Sequence, residues 1–316
     1  MAVRELTFPL VPRRRLVGLA YGAMHSARRG TGSDVAGSRP YRTGDDIKTI
    51  DWYASARLSS ARDQDAFIVR EWFAEEAPRV VVVCDRRPAM RMFPSELPWL
   101  HKPAAMRAVG ELIADSTTEA RGFVGYIDLA NVEHPDPAER TALFWRSPKS
   151  HREHWRLKES HVLWPHWFAP ADNLTQALEH LGLMRHSLPA GSFVFVLSDF
   201  VVGPAVETWL AALEHRWDIV PVVIQDPVWE QTFPDVGTVV VPLAEPETGR
   251  VRPVRLRAKE ARARKAANEE RLEQLVHDFR VLDLEPILIS SSDRAEILEA
   301  FLSWADHRLA GTRYAR

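Results

Sequence analysis

The chain has 316 residues, 46% of them apolar and 27% charged, which are ordinary proportions for a globular protein with a large buried core. Its 41 lysines and arginines balance 43 aspartates and glutamates, and this balance excludes a global attraction to nucleic acid or to an anionic membrane. A single cysteine, an N-terminus unlike a signal peptide and the lack of a bilayer-length apolar run predict a cytoplasmic protein without disulfides or transmembrane segments.

The first 78 residues (1–78) are predicted to form an N-terminal extension. Residues 13–37 include Gly30-Thr31-Gly32-Ser33 but neither a preceding strand nor the Lys-Ser/Thr pair of a phosphate-binding loop, so we interpret them as a surface loop. The residues that follow mix three arginines with three aspartates, namely Arg39, Arg42 and Arg57 with Asp45, Asp46 and Asp51. These charges either form a paired network that holds the segment on the body of the protein or belong to a solvated loop. A candidate edge strand follows at 66–73.

The remainder of the chain is organised around an apolar run at residues 79–84. Four consecutive valines followed by Cys84 indicate a strand that is buried on both faces, as central parallel strands are. The run ends at Asp85, and Pro88 prevents its continuation as a ladder strand. Loops at the carboxyl ends of strands hold the ligand site in open α/β sheets, so Asp85 lies where such a fold keeps its chemistry.

Strands and helices then alternate to the C-terminus, which predicts one α/β domain at 79–316 with a mostly parallel sheet flanked by helices. Helices are predicted at 102–120, 172–187, 205–215, 255–279 and 294–309, and further strands at 123–129, 193–197, 218–224 and 284–289. Residues 130–170 are predicted to be irregular apart from a short strand at 161–164. Residues 225–283 are predicted to be an insertion that contains a hairpin with its turn near 247–249.

Asp85 and Asp199 each end a continuous apolar strand. In a doubly wound sheet of order 3-2-1-4-5-6 those two strands are neighbours, so both carboxylates would face one crevice, with Asp172 close by at the start of a helix. The alternative is that each aspartate only caps the helix after it.

The sequence Arg39-x-Tyr41-x-x-Gly44-Asp45-Asp46-x-x-x-Ile50-Asp51-Trp52-x-x-Ser55-Ala56-Arg57 resembles the signature of the domain of unknown function 58 family. The resemblance extends to Ser198-Asp199-Phe200 and to Asp226-Pro227 with Glu230. It implies a von Willebrand factor type A-like fold and a working partnership with a MoxR-type AAA+ ATPase and with other type A-domain proteins. Many members of that family carry two membrane helices before the signature, but this chain has no bilayer-length apolar run, so we expect any membrane association to be peripheral and made through partners.

The type A fold implies a metal-ion-dependent adhesion site of the form Asp-x-Ser-x-Ser, with a threonine and a second aspartate. The matching positions are Asp85, Arg87, Ala89, Asp172 and Asp199, so both serines are replaced. An arginine beside the ligands repels a divalent cation, and we therefore expect a degenerate site without metal or other cofactor. Our hypothesis is that the Arg87 guanidinium takes the place of the metal and pairs with Asp85, Asp199 or Asp172. The alternative is that Arg87 points into solvent beside a vestigial crevice.

Two further clusters of residues do not indicate a metal or nucleic-acid site. His151, His154, His161 and His166, with Trp155, Trp164 and Trp167, lack the spacing of a zinc site, and we interpret residues 151–167 as an interaction loop. The basic run 255–265 leads into a helix that also carries glutamates and no interleaved aromatic residues, so no nucleic-acid partner is expected.

The altered ligand positions predict a non-enzymatic protein-interaction module, and the family resemblance implies that it works with the ATPase in complex assembly or chaperone-like maturation. The alternative is a divalent-metal-dependent hydrolase that uses the strand-end aspartates.

Overall fold

The computed structural model describes residues 6–13, 24–42, 45–62, 64–92, 99–130, 141–148, 166–184, 186–235, 237–245 and 250–314. The strands in these ranges are β1 (Met24–Pro40), β2 (Ile68–Glu76), β3 (Arg79–Cys84), β4 (Phe123–Asp128), β5 (Phe144–Arg146), β6 (Phe193–Ser198), β7 (Asp218–Ile224), β8 (Val239–Ala244), β9 (Val251–Leu256) and β10 (Ile287–Ile289). The helices are α1 (Trp52–Arg62), α2 (Lys102–Glu119), α3 (Asn173–Leu183), α4 (Val206–Glu214), α5 (Ala258–Val281) and α6 (Arg294–Tyr314). Within the described residues, none of these helices is both long and apolar enough to cross a membrane.

The central sheet has six strands in the order β10-β7-β6-β3-β4-β5. All neighbours are parallel except β5, which pairs antiparallel with β4. Numbered along the domain, this is the predicted order 3-2-1-4-5-6, and the prediction that the strands before Asp85 and Asp199 are neighbours is confirmed. The three-residue strand β5 was not predicted, because so short a segment carries no periodic signal.

Strand β3 is buried on both faces, as its run of valines predicts. Val80 and Val82 face a core layer that includes residues of α2 and α6. Val81 and Val83 face a second layer that includes residues of α3 and α4. Cys84 is also buried, and desolvation raises the pKa of its thiol to about 12, so this cysteine is an inert core residue.

Part of the predicted N-terminal extension belongs to the first core layer. Phe8, Leu10 and Val11 are buried among residues of the sheet and of α6. The Phe8 ring lies 4.6 Å from the ring of Phe301 and 6.0 Å from that of Trp304. The apolar core of the α/β domain therefore extends into the first residues of the chain.

Strands β1 and β2 form a separate two-stranded antiparallel sheet. The prediction of a loop at 13–37 is therefore wrong from Met24 onward, where the chain forms β1. Gly30 and Val35 both pair with Trp72, so the residues between them interrupt the ladder. The glycine signal marks an irregularity within a strand rather than a loop. Helix α1 was also not predicted, because its apolar residues show little one-sided helical periodicity.

The predicted hairpin is present as β8 and β9, although its turn at 247–249 lies outside the described residues. Val241 and Leu256 of the hairpin form a small core with Ala261, which lies near the start of α5. Near the other end of α5, the ring of Phe279 lies 5.2 Å from Phe200 and 5.7 Å from Trp209. The predicted insertion is thus anchored in the second core layer through its last helix.

Candidate functional site

The carboxyl ends of β3 and β6 bring three buried polar side chains together. Cys84 pairs with Leu197 across the two strands, and the Asp85 amide donates to the Leu197 carbonyl at 3.0 Å. Asp85 therefore lies beside Ser198 and Asp199, and all three are fully buried. The structure places the two predicted aspartates at one edge of the sheet.

Arg87 lies between these two carboxylates. Its Nε donates to Asp85 Oδ1 and Oδ2 at 3.0 and 2.9 Å, and its Nη2 lies 2.5 Å from Asp85 Oδ2. The same Nη2 donates to Asp199 Oδ1 at 3.0 Å. Burial disfavours the charged guanidinium, but the hydrogen bonds and charges of the two aspartates outweigh burial and raise the pKa of Arg87.

Lys102, near the start of α2, is a second buried cation at this edge. Its Nζ lies 3.0 Å from Asp199 Oδ2 and 2.5 Å from Glu230 Oε1. Burial alone would raise the pKa of Asp199, but the charges of Lys102 and Arg87 outweigh it and lower that pKa. For Glu230 the balance is opposite, because burial raises its pKa more than Lys102 lowers it.

Asp85 is held by two further side chains. Ser198 Oγ donates to Asp85 Oδ2 at 2.6 Å, and Asn173 Nδ2 donates to Asp85 Oδ1 at 3.2 Å. The prediction that Asp172 joins this crevice is wrong. Its side chain is exposed and accepts a hydrogen bond from Gln176 at 3.0 Å. Successive residues of a helix point about 100° apart, so a shift of one residue exchanges an inward side chain for an outward one.

Replacing Asn173 with alanine is expected to lower the free energy of unfolding by about 1–3 kcal/mol, because Asp85 loses a buried donor. Replacing the neighbouring Asp172 with alanine should change it by less than about 0.5 kcal/mol, as surface substitutions usually do. Urea unfolding followed by circular dichroism measures both changes. Equal losses from the two substitutions would show that Asn173 has no special role.

The residues present do not fit a divalent metal ion. Magnesium requires about six oxygen ligands at 2.0–2.1 Å, but the facing oxygens of Asp85 and Asp199 already contact Arg87 and Lys102. Ala89 lies in the turn Pro88–Arg91 and has no side-chain oxygen to contribute. Among the described residues, no group of three or more His, Cys, Asp or Glu side chains is arranged to hold a metal.

A second buried ion pair lies at the end of β4. Arg86 Nε donates to Asp128 Oδ2 at 2.8 Å, and the Tyr126 hydroxyl donates to the same oxygen at 2.7 Å. The Arg86 guanidinium also lies 4.8 Å from the centre of the Trp167 ring. Trp167 and His166 belong to the predicted interaction loop, whose residues 151–165 lie outside the described part of the chain, as does the predicted strand at 161–164.

The signature residues lie on β1, α1 and the chain between them rather than at the crevice, although Gly44 lies outside the described residues. Of the paired network that was one of the two predicted alternatives, Arg39 and Asp45 form an ion pair with both guanidinium contacts at 2.7 Å, and this pairing lowers the pKa of Asp45 to about 2. The other charged residues of this set have different partners. Asp51 pairs with Arg70 at 2.7 Å, the Arg57 guanidinium lies over a tyrosine ring, and Asp46 accepts from the backbone at the start of a short turn.

The same part of the chain carries exposed aromatic side chains. Trp52 is 60% exposed, and its ring lies 6.1 Å from that of Phe67. The ring of Tyr41 lies 6.4 Å from the same Phe67 ring. Tyr53, the residue after Trp52, is also exposed. Clustered aromatic residues at the surface are typical of protein interfaces. We call Tyr41, Trp52, Tyr53 and Phe67 the aromatic patch.

Lys102, Asn173 and Ser198 were not recognised from the sequence as site residues. A signal existed for Lys102, since Pro103 marks the first turn of a helix. The helix that follows a parallel strand begins near the carboxyl edge of the sheet, where the two aspartates end their strands. No comparable signal distinguishes Asn173 from the aspartate before it.

Comparison with known proteins identifies a family whose function is unknown. A model of the family described as protein of unknown function DUF58 matches residues 37–274. No curated protein matches the chain. Among solved structures, the conserved hypothetical protein BatB from Bacteroides thetaiotaomicron is 14% identical, with 65% of this chain and 98% of that chain covered and a TM-score of 0.36.

Two other solved structures are similar at the same low level. An aerotolerance-related membrane protein from Bacteroides fragilis NCTC 9343 is 12% identical, with 73% and 99% of the two chains covered and a TM-score of 0.38. The pilus adhesin SpaC from Lactobacillus rhamnosus GG is 11% identical, with 74% and 30% covered and a TM-score of 0.42. Because the family model spans well over half of the chain, the protein belongs to the family of proteins of unknown function DUF58.

Proposed function

We propose that this protein is a non-enzymatic interaction module of von Willebrand factor type A-like fold whose metal-ion-dependent adhesion site has degenerated. We further propose that it acts beside a MoxR-type AAA+ ATPase in complex assembly or chaperone-like maturation. The observation that carries the proposal is the position of Arg87, whose guanidinium contacts both strand-end aspartates within hydrogen-bonding distance. Because a guanidinium on the chain cannot exchange as a bound metal ion can, we expect the loops around Asp85 and Asp199 to keep one conformation and to serve as a rigid support for docking.

The topology supports the type A-like assignment. The strand order is the doubly wound one, the edge strand β5 is antiparallel, and the two aspartates follow neighbouring strands. The aromatic patch supports the interaction role, since buried Trp, Tyr and Arg side chains contribute most to binding energy at interfaces. A hydrolase built on the same aspartates would need a divalent ion to displace Arg87 and to compete with Lys102.

The docking proposal is tested with the purified protein and the MoxR-type ATPase from the same source, by biolayer interferometry without nucleotide, with ADP and with ATP. We expect association in at least one nucleotide state, weakened at least about tenfold by Trp52→Ala, a loss typical of an interface anchor. Val281→Ala, an exposed apolar residue near the end of α5, is the control and should leave binding unchanged. Lack of association in every nucleotide state contradicts the proposal.

The hydrolase alternative is tested by isothermal titration of the wild-type protein with magnesium and manganese. The proposal predicts no tight binding of either ion, because the carboxylates are already neutralised by buried cations. A stoichiometric, tight binding isotherm would favour the hydrolase and refute the degenerate site.

A further inference from the structure

A strongly basic stretch of the chain lies on β9 and the start of α5. Residues 250–265 contain eight lysines and arginines and a single acidic residue, in a chain whose net charge is −2. Val240 and Val251 of the hairpin are both 59% exposed. Val240 pairs with Arg255 in the β8–β9 register, so apolar and basic side chains share one outer face. We call this surface the hairpin face.

A second exposed surface has the opposite charge. Val206 is 53% and Leu210 is 49% exposed, and their spacing of four residues places them on one side of α4. Glu207 and Glu214 are exposed on the same helix, and neither α4 nor the adjacent α3 contains a lysine or arginine. We call this surface the α4 face.

The two surfaces cannot meet within one copy of the chain. The hairpin packs on Ala261, near one end of α5, whereas Phe279 near the other end packs on Trp209 of α4. Eighteen residues separate these two contact points, which is about 27 Å along a straight helix. Any contact between the hairpin face and the α4 face must therefore join different molecules.

We propose that the hairpin face of one copy docks on the α4 face of a second copy. Each surface carries exposed aliphatic side chains that the contact would bury, and their opposite charges would steer and orient the encounter. Because the two surfaces differ, the contact is head-to-tail, which leaves one free surface at each end of a dimer and permits longer chains or a closed ring. The inference does not depend on the proposed partnership with the ATPase.

The test is analytical ultracentrifugation of the full-length protein at about 10–100 μM, the range suited to contacts of micromolar affinity. Wild-type protein should form species larger than dimers, and raised salt should weaken them. Val240→Ser/Arg255→Glu on the hairpin face, two side chains that pair across β8 and β9, and Val206→Ser/Leu210→Ser on the α4 face should each weaken self-association at least tenfold, to the monomer. Leu302→Ser, an exposed leucine on α6, is the matched control and should behave as wild type.

Mixing the two monomeric variants provides the decisive measurement. Each retains the surface that the other has lost, so a one-to-one mixture should form a dimer and nothing larger. A second pair, Glu207→Lys/Glu214→Lys mixed with Arg255→Glu, tests the charges: the intact faces again form a dimer, and the two faces of exchanged charge should attract each other and extend it to species larger than a dimer. A wild-type monomer at the highest concentration, or a mixture that stays monomeric, overturns the proposal. Salt-sensitive binding of a short oligonucleotide that Arg255→Glu weakens, with no self-association, would instead assign the hairpin face to nucleic acid.

Discussion

Replacing Arg87 with alanine is expected to lower the free energy of unfolding by about 3–5 kcal/mol, which is the usual cost of removing one partner of a buried ion pair. Asp85 and Asp199 are both fully buried and both contact this guanidinium. Without it, two negative charges would face each other in a region of low dielectric constant, where their repulsion is strong. Urea unfolding of the wild type and the variant at neutral pH measures the loss.

Arg91→Ala is the matched control, since Arg91 belongs to the turn directly after Arg87 but is exposed. It should change the free energy of unfolding by less than about 0.5 kcal/mol. A loss of similar size in both variants would mean that the turn, rather than the buried charge, determines stability. A negligible loss for Arg87→Ala would support the alternative in which the crevice is vestigial.

The same position tests whether an arginine has taken the place of a metal. In Arg87→Ser/Ala89→Ser the two hydroxyls of the implied ligand pattern return beside Asp85 and Asp199. Magnesium should then stabilise the variant, by about 1.4 kcal/mol at ten times its dissociation constant, and leave the wild type unchanged. Thermal unfolding with and without magnesium detects the difference. Equal responses of the two proteins would argue against replacement of a metal by Arg87.

The sequence was sufficient for five of the six strands of the central sheet, all except β5, and for the location of the site. The valines of β3 and the apolar run of β6 carry unmistakable signals of buried parallel strands, and both aspartates follow directly from where those strands end. The contact between Arg87 and Asp85 could be inferred because the two residues are only two positions apart, so the guanidinium can reach the carboxylate whatever the rest of the fold does. The local sequence pattern and the general topology of α/β sheets together predict the central strands, the two aspartates at their ends and the contact of Arg87 with Asp85.

The remaining contacts of the site depend on parts of the chain that are distant in sequence. Lys102 joins Asp199 to Glu230, which is 128 positions away from Lys102, and no local pattern reports such a pairing. The choice between Asp172 and Asn173 depends on the rotation of α3 about its axis, and helix boundaries are the least certain part of a sequence-based prediction. Strand β1 was not predicted, because its ladder is interrupted and glycine is otherwise depleted in strands.

Lys102→Met is expected to lower the free energy of unfolding by roughly 3–5 kcal/mol at neutral pH, about as much as Arg87→Ala. The reason is that Asp199 and Glu230 lose this cation while they stay largely buried. The pH dependence distinguishes a charge effect from a packing effect. In the wild type the lowered pKa of Asp199 means that its contribution to stability is present above about pH 4 and is lost as the pH falls through the folded-state pKa.

Lys102→Met should reverse this trend at the crevice. Burial already raises the pKa of Glu230, and removing the ammonium raises that pKa further; a group whose folded-state pKa exceeds its unfolded value gains stability as it becomes protonated. The difference in unfolding free energy between wild type and variant should therefore shrink between about pH 7 and about pH 5. Lys102→Met/Glu230→Gln should recover part of the loss at neutral pH, whereas Lys259→Met, at an exposed lysine of α5, should cost less than about 0.5 kcal/mol. A difference that stays constant across this pH range would mean that Lys102 acts by filling space, and the buried cation would then have no electrostatic role at the crevice.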